Sequence, residues 1–137
     1  MLDRQERLLK AASLLGAVTD ALALIPMLCP PMARLLWGFE ATASGYRFAM
    51  GYGASLMFGW TLLLVWAHAR PLERRFVAAL TVVVIYGLVA TEIAAVVAGD
   101  MPVWRMAPTW GLQVILVGTF ASAYHYPAVS RWFRPDE

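Results

Sequence analysis

The stretch FVAALTVVVIYGLVATEIAAVVAG, residues 76–99, is an apolar run interrupted by a single carboxylate, Glu92. A helix of about 20 mainly apolar residues is long enough to cross a bilayer, so this stretch predicts a transmembrane helix. An ionisable side chain at membrane depth costs about 2.5–3.5 kcal/mol on insertion scales and usually faces protein or water. Asp20 interrupts the first apolar run of the chain in the same way. Glu92 and Asp20 are therefore the first residues to consider for a functional site.

The composition indicates a membrane protein throughout. Of the 137 residues, 61% are hydrophobic and 15% are charged, and the mean hydropathy is +0.62. Soluble domains are usually about 45–50% apolar and about 25% charged. The net charge of +2 does not indicate a nucleic-acid partner, because the basic residues lie at the ends of apolar runs. The single cysteine, Cys29, excludes an intrachain disulfide, and no zinc, phosphate-loop or nucleophile motif occurs, so we expect no metal and no cofactor.

The apolar runs predict an all-α fold, a four-helix transmembrane bundle forming a single domain over residues 1–137. The predicted spans are about 8–28, 46–68, 76–99 and 109–126. Residues 31–43 are too apolar for a free loop, and they predict either a helix lying in the interface or a lid over the bundle. The basic start of the chain and Ala21-Leu22-Ala23 resemble a signal peptide, but we interpret this run as a retained first span.

The basic residues predict the orientation. Eight lie on one side of the predicted spans and three on the other. The eight are Arg4, Arg7, Lys10, Arg70, Arg74, Arg75, Arg131 and Arg134, and the three are Arg34, Arg47 and Arg105. Because positive residues concentrate in cytoplasmic loops, both termini are expected in the cytoplasm of a bacterial inner membrane protein, with an up-down-up-down bundle.

Small residues recur at a spacing of four in the second span. One row is Gly45, Ala49 and Gly53, and the other is Gly51, Ser55 and Gly59. Such rows let helix backbones approach closely in lipid, where hydrophobic exclusion adds little attraction. They predict tight helix packing and no particular chemistry.

Polar residues from all four spans are predicted to converge in the outer half of the membrane. Asp20 and Glu92 lie at similar depth, Gln113 starts the fourth span, and Arg47 starts the second. The aromatic residues expected to line the pocket are Trp60, Tyr86 and Trp110. Two neighbouring carboxylates would share a proton, whereas an Arg47 bridge would keep both ionised. Structural pairing, a ligand site, and proton or ion movement all remain open interpretations, and a carboxylate pocket with aromatic walls suits an amphiphilic cation.

The stretch from Tyr46 to Glu92, beginning YRFAMGYGASLMFGWTLLLVWAHARPLERR and ending in ATE, resembles small bacterial four-span integral membrane proteins. In size and span number the chain also resembles the DoxX-like group and, more distantly, the EXPERA group. The latter resemblance implies a membrane pocket of carboxylates and aromatics, and it carries over no catalytic residue. Small multidrug transporters are similar in having four spans and a membrane Glu, but theirs lies in the first helix, where this chain has Asp20.

We therefore expect a binder of a small apolar or amphiphilic ligand in an intramembrane pocket near Asp20, Glu92, Arg47 and Gln113. Catalysis on that ligand, such as acid-catalysed isomerisation, is left open. The expected partners are the lipid bilayer, a lipid-like small molecule, and a second copy or another membrane protein. The alternatives are an accessory subunit of a membrane complex and a proton-coupled exporter.

Overall fold

A computed structural model describes residues 2–38 and 44–132, and within these ranges the chain forms five helices. They are α1 (Leu2–Leu28), α2 (Pro30–Trp37), α3 (Ser44–Ala69), α4 (Phe76–Ala98) and α5 (Val103–Trp132). All but α2 are long and apolar enough to cross a membrane. The predicted all-α four-helix bundle is confirmed, and the protein is a multi-pass membrane protein.

The four long helices run antiparallel in chain order. His68 Nδ1 lies 3.0 Å from the carbonyl oxygen of Lys10, which joins the end of α3 to the start of α1. Gln5 donates to the carbonyl oxygen of Ala123 at 3.3 Å, which joins the start of α1 to the end of α5. The end of the bundle that carries these contacts and the 70–75 turn is called the basic end below. The predicted up-down-up-down order is therefore confirmed.

Helix α1 is the central element of the bundle, because it packs on both α3 and α5, whereas α4 packs chiefly on α5. The tightest approach is at Gly16, where a Cβ atom would lie 2.8 Å from Cζ of Phe120 and 3.1 Å from Cδ1 of Leu64. Phe120 is only 1% exposed. Glycine at position 16 thus lets α1 approach the largest core side chain of α5.

The small-residue rows of α3 do not form this close contact. A Cβ added at Gly53 would lie 3.0 Å from Cε of Met27, but one at Gly45, Gly51 or Gly59 would meet nothing within 4 Å. The 51/55/59 row is exposed along its whole length. The predicted tight packing therefore falls at Gly16, while the row on α3 faces outward.

Two of the long helices extend beyond the predicted spans. Helix α1 begins at Leu2, because the polar first residues continue the helix beyond the apolar run. Helix α5 begins at Val103 instead of 109 and continues past Pro127 to Trp132. Proline removes one backbone hydrogen bond and can kink a helix without ending it, so Pro127 is a poor boundary signal here.

Helix α2 packs against α1 through Ala33, which is 1% exposed, and leaves Leu35 72% exposed. Gly38 ends the helix with φ of 79° and donates its N–H to the carbonyl oxygen of Arg34. The guanidinium of Arg105, from the start of α5, lies directly against Gly38. This helix therefore covers one end of the bundle and also presents an apolar face outward, and its placement in the interface stays a prediction. Residues 39–43 of the predicted segment lie outside the described residues.

Candidate functional site

The acid that interrupts α4 is held by α5. The side-chain amide of Gln113 donates a hydrogen bond to Oε1 of Glu92 at 2.9 Å. Gln113 is 6% exposed, and Glu92 is half-buried. Glu92 lies six residues before the last residue of α4, which places it about 9 Å along the helix from that end. The sequence-based prediction that Glu92 and Gln113 converge is therefore met in the structure.

The position of Gln113 follows from the apolar stripe of α5. The buried residues of this helix recur at spacings of three, four and seven, which is the pattern of one helix face. They are Met106, Gln113, Leu116, Phe120 and Ala123. Gln113 is the polar member of this otherwise apolar core stripe, so its amide is directed into the bundle and not toward lipid.

Trp110, one turn before Gln113, adds an aromatic wall and a further donor. Its indole N–H lies near the Glu92 carboxylate without reaching hydrogen-bond geometry. Three buried polar atoms of this group meet no hydrogen-bond partner among the described residues: Glu92 Oε2, Gln113 Oε1 and Trp110 Nε1. The group formed by Glu92, Gln113 and Trp110 is called the acid cluster below. It offers two acceptors, one donor and a ring face.

The other predicted site residues make no hydrogen bond or ion pair with the acid cluster among the described residues. Asp20 is half-buried on α1 and, within the described ranges, makes no hydrogen bond or ion pair. Arg47 is exposed near the start of α3, where it lines a cleft against α1 and α2. Trp60 packs beside the apolar core, and its indole nitrogen is buried without a hydrogen-bond partner among the described residues. Tyr86 is 59% exposed on α4.

The structure thus brings together three of the predicted site residues, Glu92, Gln113 and Trp110. No bond joins Asp20 to Glu92. The contacts between α1 and α4 are few, whereas both helices pack on α5. Similar depth in the membrane does not by itself produce a contact between two acids, because each helix also has to be rotated so that its acid faces the other, and the convergence of Asp20 with Glu92 stays a prediction.

Sequence analysis did not single out the polar contacts of the basic end. The guanidinium of Arg74 lies 3.7 Å from the centre of the Trp66 ring and also donates to the Trp66 carbonyl oxygen. Arg75 lies 6.0 Å from the ring centre of Tyr124 on α5. These contacts connect the 70–75 turn to the ends of α3 and α5, which is a structural role. In the sequence, the signal for it is a run of arginines close to aromatic residues.

Within the described part of the chain, no three His, Cys, Asp or Glu side chains gather in a group that could hold a metal ion. Searches of protein-family models, curated proteins and solved structures found no match to this chain. The acid cluster is therefore interpreted from its own chemistry.

Proposed function

We propose that this protein binds a small amphiphilic amine at the acid cluster, within the membrane and between α4 and α5. The observation that carries the proposal is a pair of buried acceptor atoms without a hydrogen-bond partner among the described residues, Oε2 of Glu92 and Oε1 of Gln113. Buried polar groups nearly always have partners, and in a bilayer no bulk water supplies them. A molecule that donates hydrogen bonds to the two oxygen atoms would satisfy both acceptors, while the indole N–H of Trp110 lies near the Glu92 carboxylate.

An ammonium head group fits the available chemistry. It has donors for both acceptors, it complements an ionised carboxylate, and it is attracted to the face of an indole ring. The apolar part of the ligand would lie along the lipid-facing side chains of α4, where Tyr86 and Ile93 are exposed. We place the protein in a bacterial inner membrane with both termini cytoplasmic, as the distribution of basic residues favours.

The test is ligand-induced stabilisation in a nonionic detergent. Dodecylamine is expected to raise the melting temperature of the wild-type protein, whereas dodecanol, which has the same chain and no charge, is expected to have a much smaller effect. Glu92→Gln should remove the response to the amine. Because both proteins sit in the same micelles, a general effect of the amine on the detergent cancels in the comparison.

Asp20→Asn is the matched control, because Asp20 is a half-buried acid in another spanning helix and has no bond to the cluster. The Asp20→Asn protein should respond to dodecylamine as the wild type does. Equal responses in the wild-type and Glu92→Gln proteins would contradict the proposal. Loss of the response in both acid variants would instead support the sequence-based expectation that Asp20 and Glu92 belong to one binding site.

A second candidate function is assembly with another membrane helix. The observation that favours it is the exposed row Gly51, Ser55 and Gly59, where a Cβ at either glycine would meet nothing within 4 Å. Small residues allow close helix approach in lipid, so this row suits a partner helix.

If that assembly occurs, Gly59→Leu should reduce the oligomer detected by light scattering in detergent. Gly118→Leu on α5, which is equally open, is the matched control. An unchanged oligomer in Gly59→Leu would dismiss assembly through this row.

A further inference from the structure

The cleft that Arg47 lines lies at the end of the bundle opposite the basic end. It has a volume of about 460 Å³ and lies between the end of α1, the short helix α2 and the start of α3. Its lining includes Pro26, Met27, Tyr46, Arg47, Met50 and Gly51. This volume is within the range of small-molecule sites, about 300–1,000 Å³.

Charge and polarity are graded along the cleft. Arg47 lies in the first turn of α3, where the helix dipole is positive, and it makes no ion pair among the described residues. Met50 lies one turn further along α3. Met27 is deeper still, since its Cε faces Gly53, six residues after Arg47 on α3, where an added Cβ would lie 3.0 Å from it. The cleft is therefore cationic at one end and apolar at the other.

The cationic end lies at headgroup depth. Helix α3 has 26 residues and is about 39 Å long at about 1.5 Å per residue. The hydrocarbon core of a bilayer is about 30 Å thick, and about 40–45 Å with the headgroups. The first turn of α3 thus reaches the headgroup layer, while Met50 and Met27 extend toward the acyl chains.

We infer that this cleft is a site for an anionic lipid, with the phosphate on Arg47 and one acyl chain along Met50 and Met27. The site goes beyond the proposed amine site, because it involves other helices and prefers the opposite charge. Pro26 and Pro30 shape its wall: α1 ends at Leu28, and α2 starts at Pro30 after the single residue Cys29. That tight connection places Pro26 and Pro30 on the same wall of the cleft.

Gly51 offers a direct way to close the cleft. It lines the cleft, yet a Cβ at this position would meet nothing within 4 Å, so a leucine can enter the space without colliding with the fold. Gly59→Leu is the matched control, because it places the same side chain at an equally open site on the same helix outside the cleft. For charge, Arg47→Gln is paired with Arg34→Gln, which changes an exposed arginine of α2 that does not line the cleft.

The experiment is native mass spectrometry of the detergent-purified protein with equal amounts of dioleoyl phosphatidylglycerol and dioleoyl phosphatidylcholine. The wild type should retain phosphatidylglycerol over phosphatidylcholine by about fivefold, the contribution of one arginine near an anionic headgroup. Arg47→Gln should lose this preference, and Gly51→Leu should retain less of both lipids. Arg34→Gln, Gly59→Leu and Glu92→Gln should retain the two lipids in the wild-type amounts and ratio, because none of these residues lines the cleft.

Two results would overturn the inference. One is an unchanged preference for phosphatidylglycerol in Arg47→Gln. The other is equal lipid retention by Gly51→Leu and Gly59→Leu. Since Glu92→Gln is included, loss of the amine response and loss of lipid retention are separable.

Discussion

Gln113 on α5 donates its side-chain hydrogen bond to Glu92 on α4 across 2.9 Å, and this bond joins the two helices inside the membrane. The carbonyl oxygen of the same amide and the second carboxylate oxygen stay without partners among the described residues. The pair therefore links α4 to α5 and also leaves two oxygen atoms able to accept hydrogen bonds. In a purely structural pair, both oxygen atoms would be expected to have protein partners.

The contribution of this bond to stability can be measured with two variants. Gln113→Leu removes the donor and leaves the acid unbonded, so we expect a loss of about 0.5–1.5 kcal/mol, the range of interhelical hydrogen bonds in membranes. Glu92→Gln keeps an acceptor for Gln113 and removes a group that is costly in lipid, so its stability should be equal or higher. Reversible unfolding in mixed detergent micelles gives both values. A Gln113→Leu protein as stable as the wild type would show that the bond does not hold the helices together.

The close approach at Gly16 predicts sensitivity to a single methyl group. In Gly16→Ala the new Cβ would lie 2.8 Å from Phe120, inside a packed core, and we expect a loss of about 1–3 kcal/mol. Gly118→Ala is the control, because its Cβ meets nothing and alanine favours the helix by about 1 kcal/mol. Thermal unfolding of the two variants should shift in opposite directions. Equal shifts would mean that α1 and α5 are less tightly packed at this point.

Gly38 and Gly99 form a natural comparison for the contact between α2 and α5. Both have positive φ, 79° and 82°, so alanine at either site meets a backbone penalty of about 1–2 kcal/mol. A Cβ at Gly38 would also collide with the Arg105 guanidinium, whereas one at Gly99 would meet nothing. Gly38→Ala should therefore destabilise the protein more than Gly99→Ala does. Adding Arg105→Ala to each variant should make the two losses of stability equal. If the difference in stability persists, the collision with Arg105 is not its cause.

The two histidines predict different responses at the basic end. His68 Nδ1 is bonded to the carbonyl oxygen of Lys10, whereas His125 is exposed and touches the Tyr124 ring edge-on. His68→Phe should lower the free energy of unfolding by about 1 kcal/mol, the net contribution of one hydrogen bond. His125→Phe should change it by less than about 0.5 kcal/mol, as is usual at exposed sites. Chemical denaturation of the two variants separates these outcomes, and equal losses would argue against the link from α3 to α1.

The sequence was sufficient to predict the four spans, because length and hydropathy alone determine whether a helix can cross a bilayer. It also predicted that Glu92 and Gln113 meet, since a short connection makes α4 and α5 antiparallel neighbours and fixes their relative depth. Depth alone does not predict the contacts of Asp20 and Arg47. Depth can be counted from residue numbers, but rotation of each helix about its axis depends on packing that the sequence does not display.

Glycine spacing was also an incomplete guide. The regular rows on α3 predicted tight helix packing, yet the tight contact occurs at Gly16, a single glycine that belongs to no such row. A row of small residues shows that close approach is allowed on that face. Whether the neighbour is another helix of the same chain, a lipid or a partner depends on the remaining helices. The short cleft beside Arg47 was missed for a similar reason, because its walls come from three separate elements.

The most direct measurement of the central claim is the location of a bound amine. A long-chain alkylamine carrying a diazirine would be photolysed with the protein in detergent, and the labelled peptides identified by mass spectrometry. Binding at the acid cluster predicts adducts on α4 and α5 near residues 88–96 and 106–117, and a marked loss of these adducts in Glu92→Gln. Adducts spread evenly over the four spanning helices, or equal labelling of the wild-type and Glu92→Gln proteins, would contradict it.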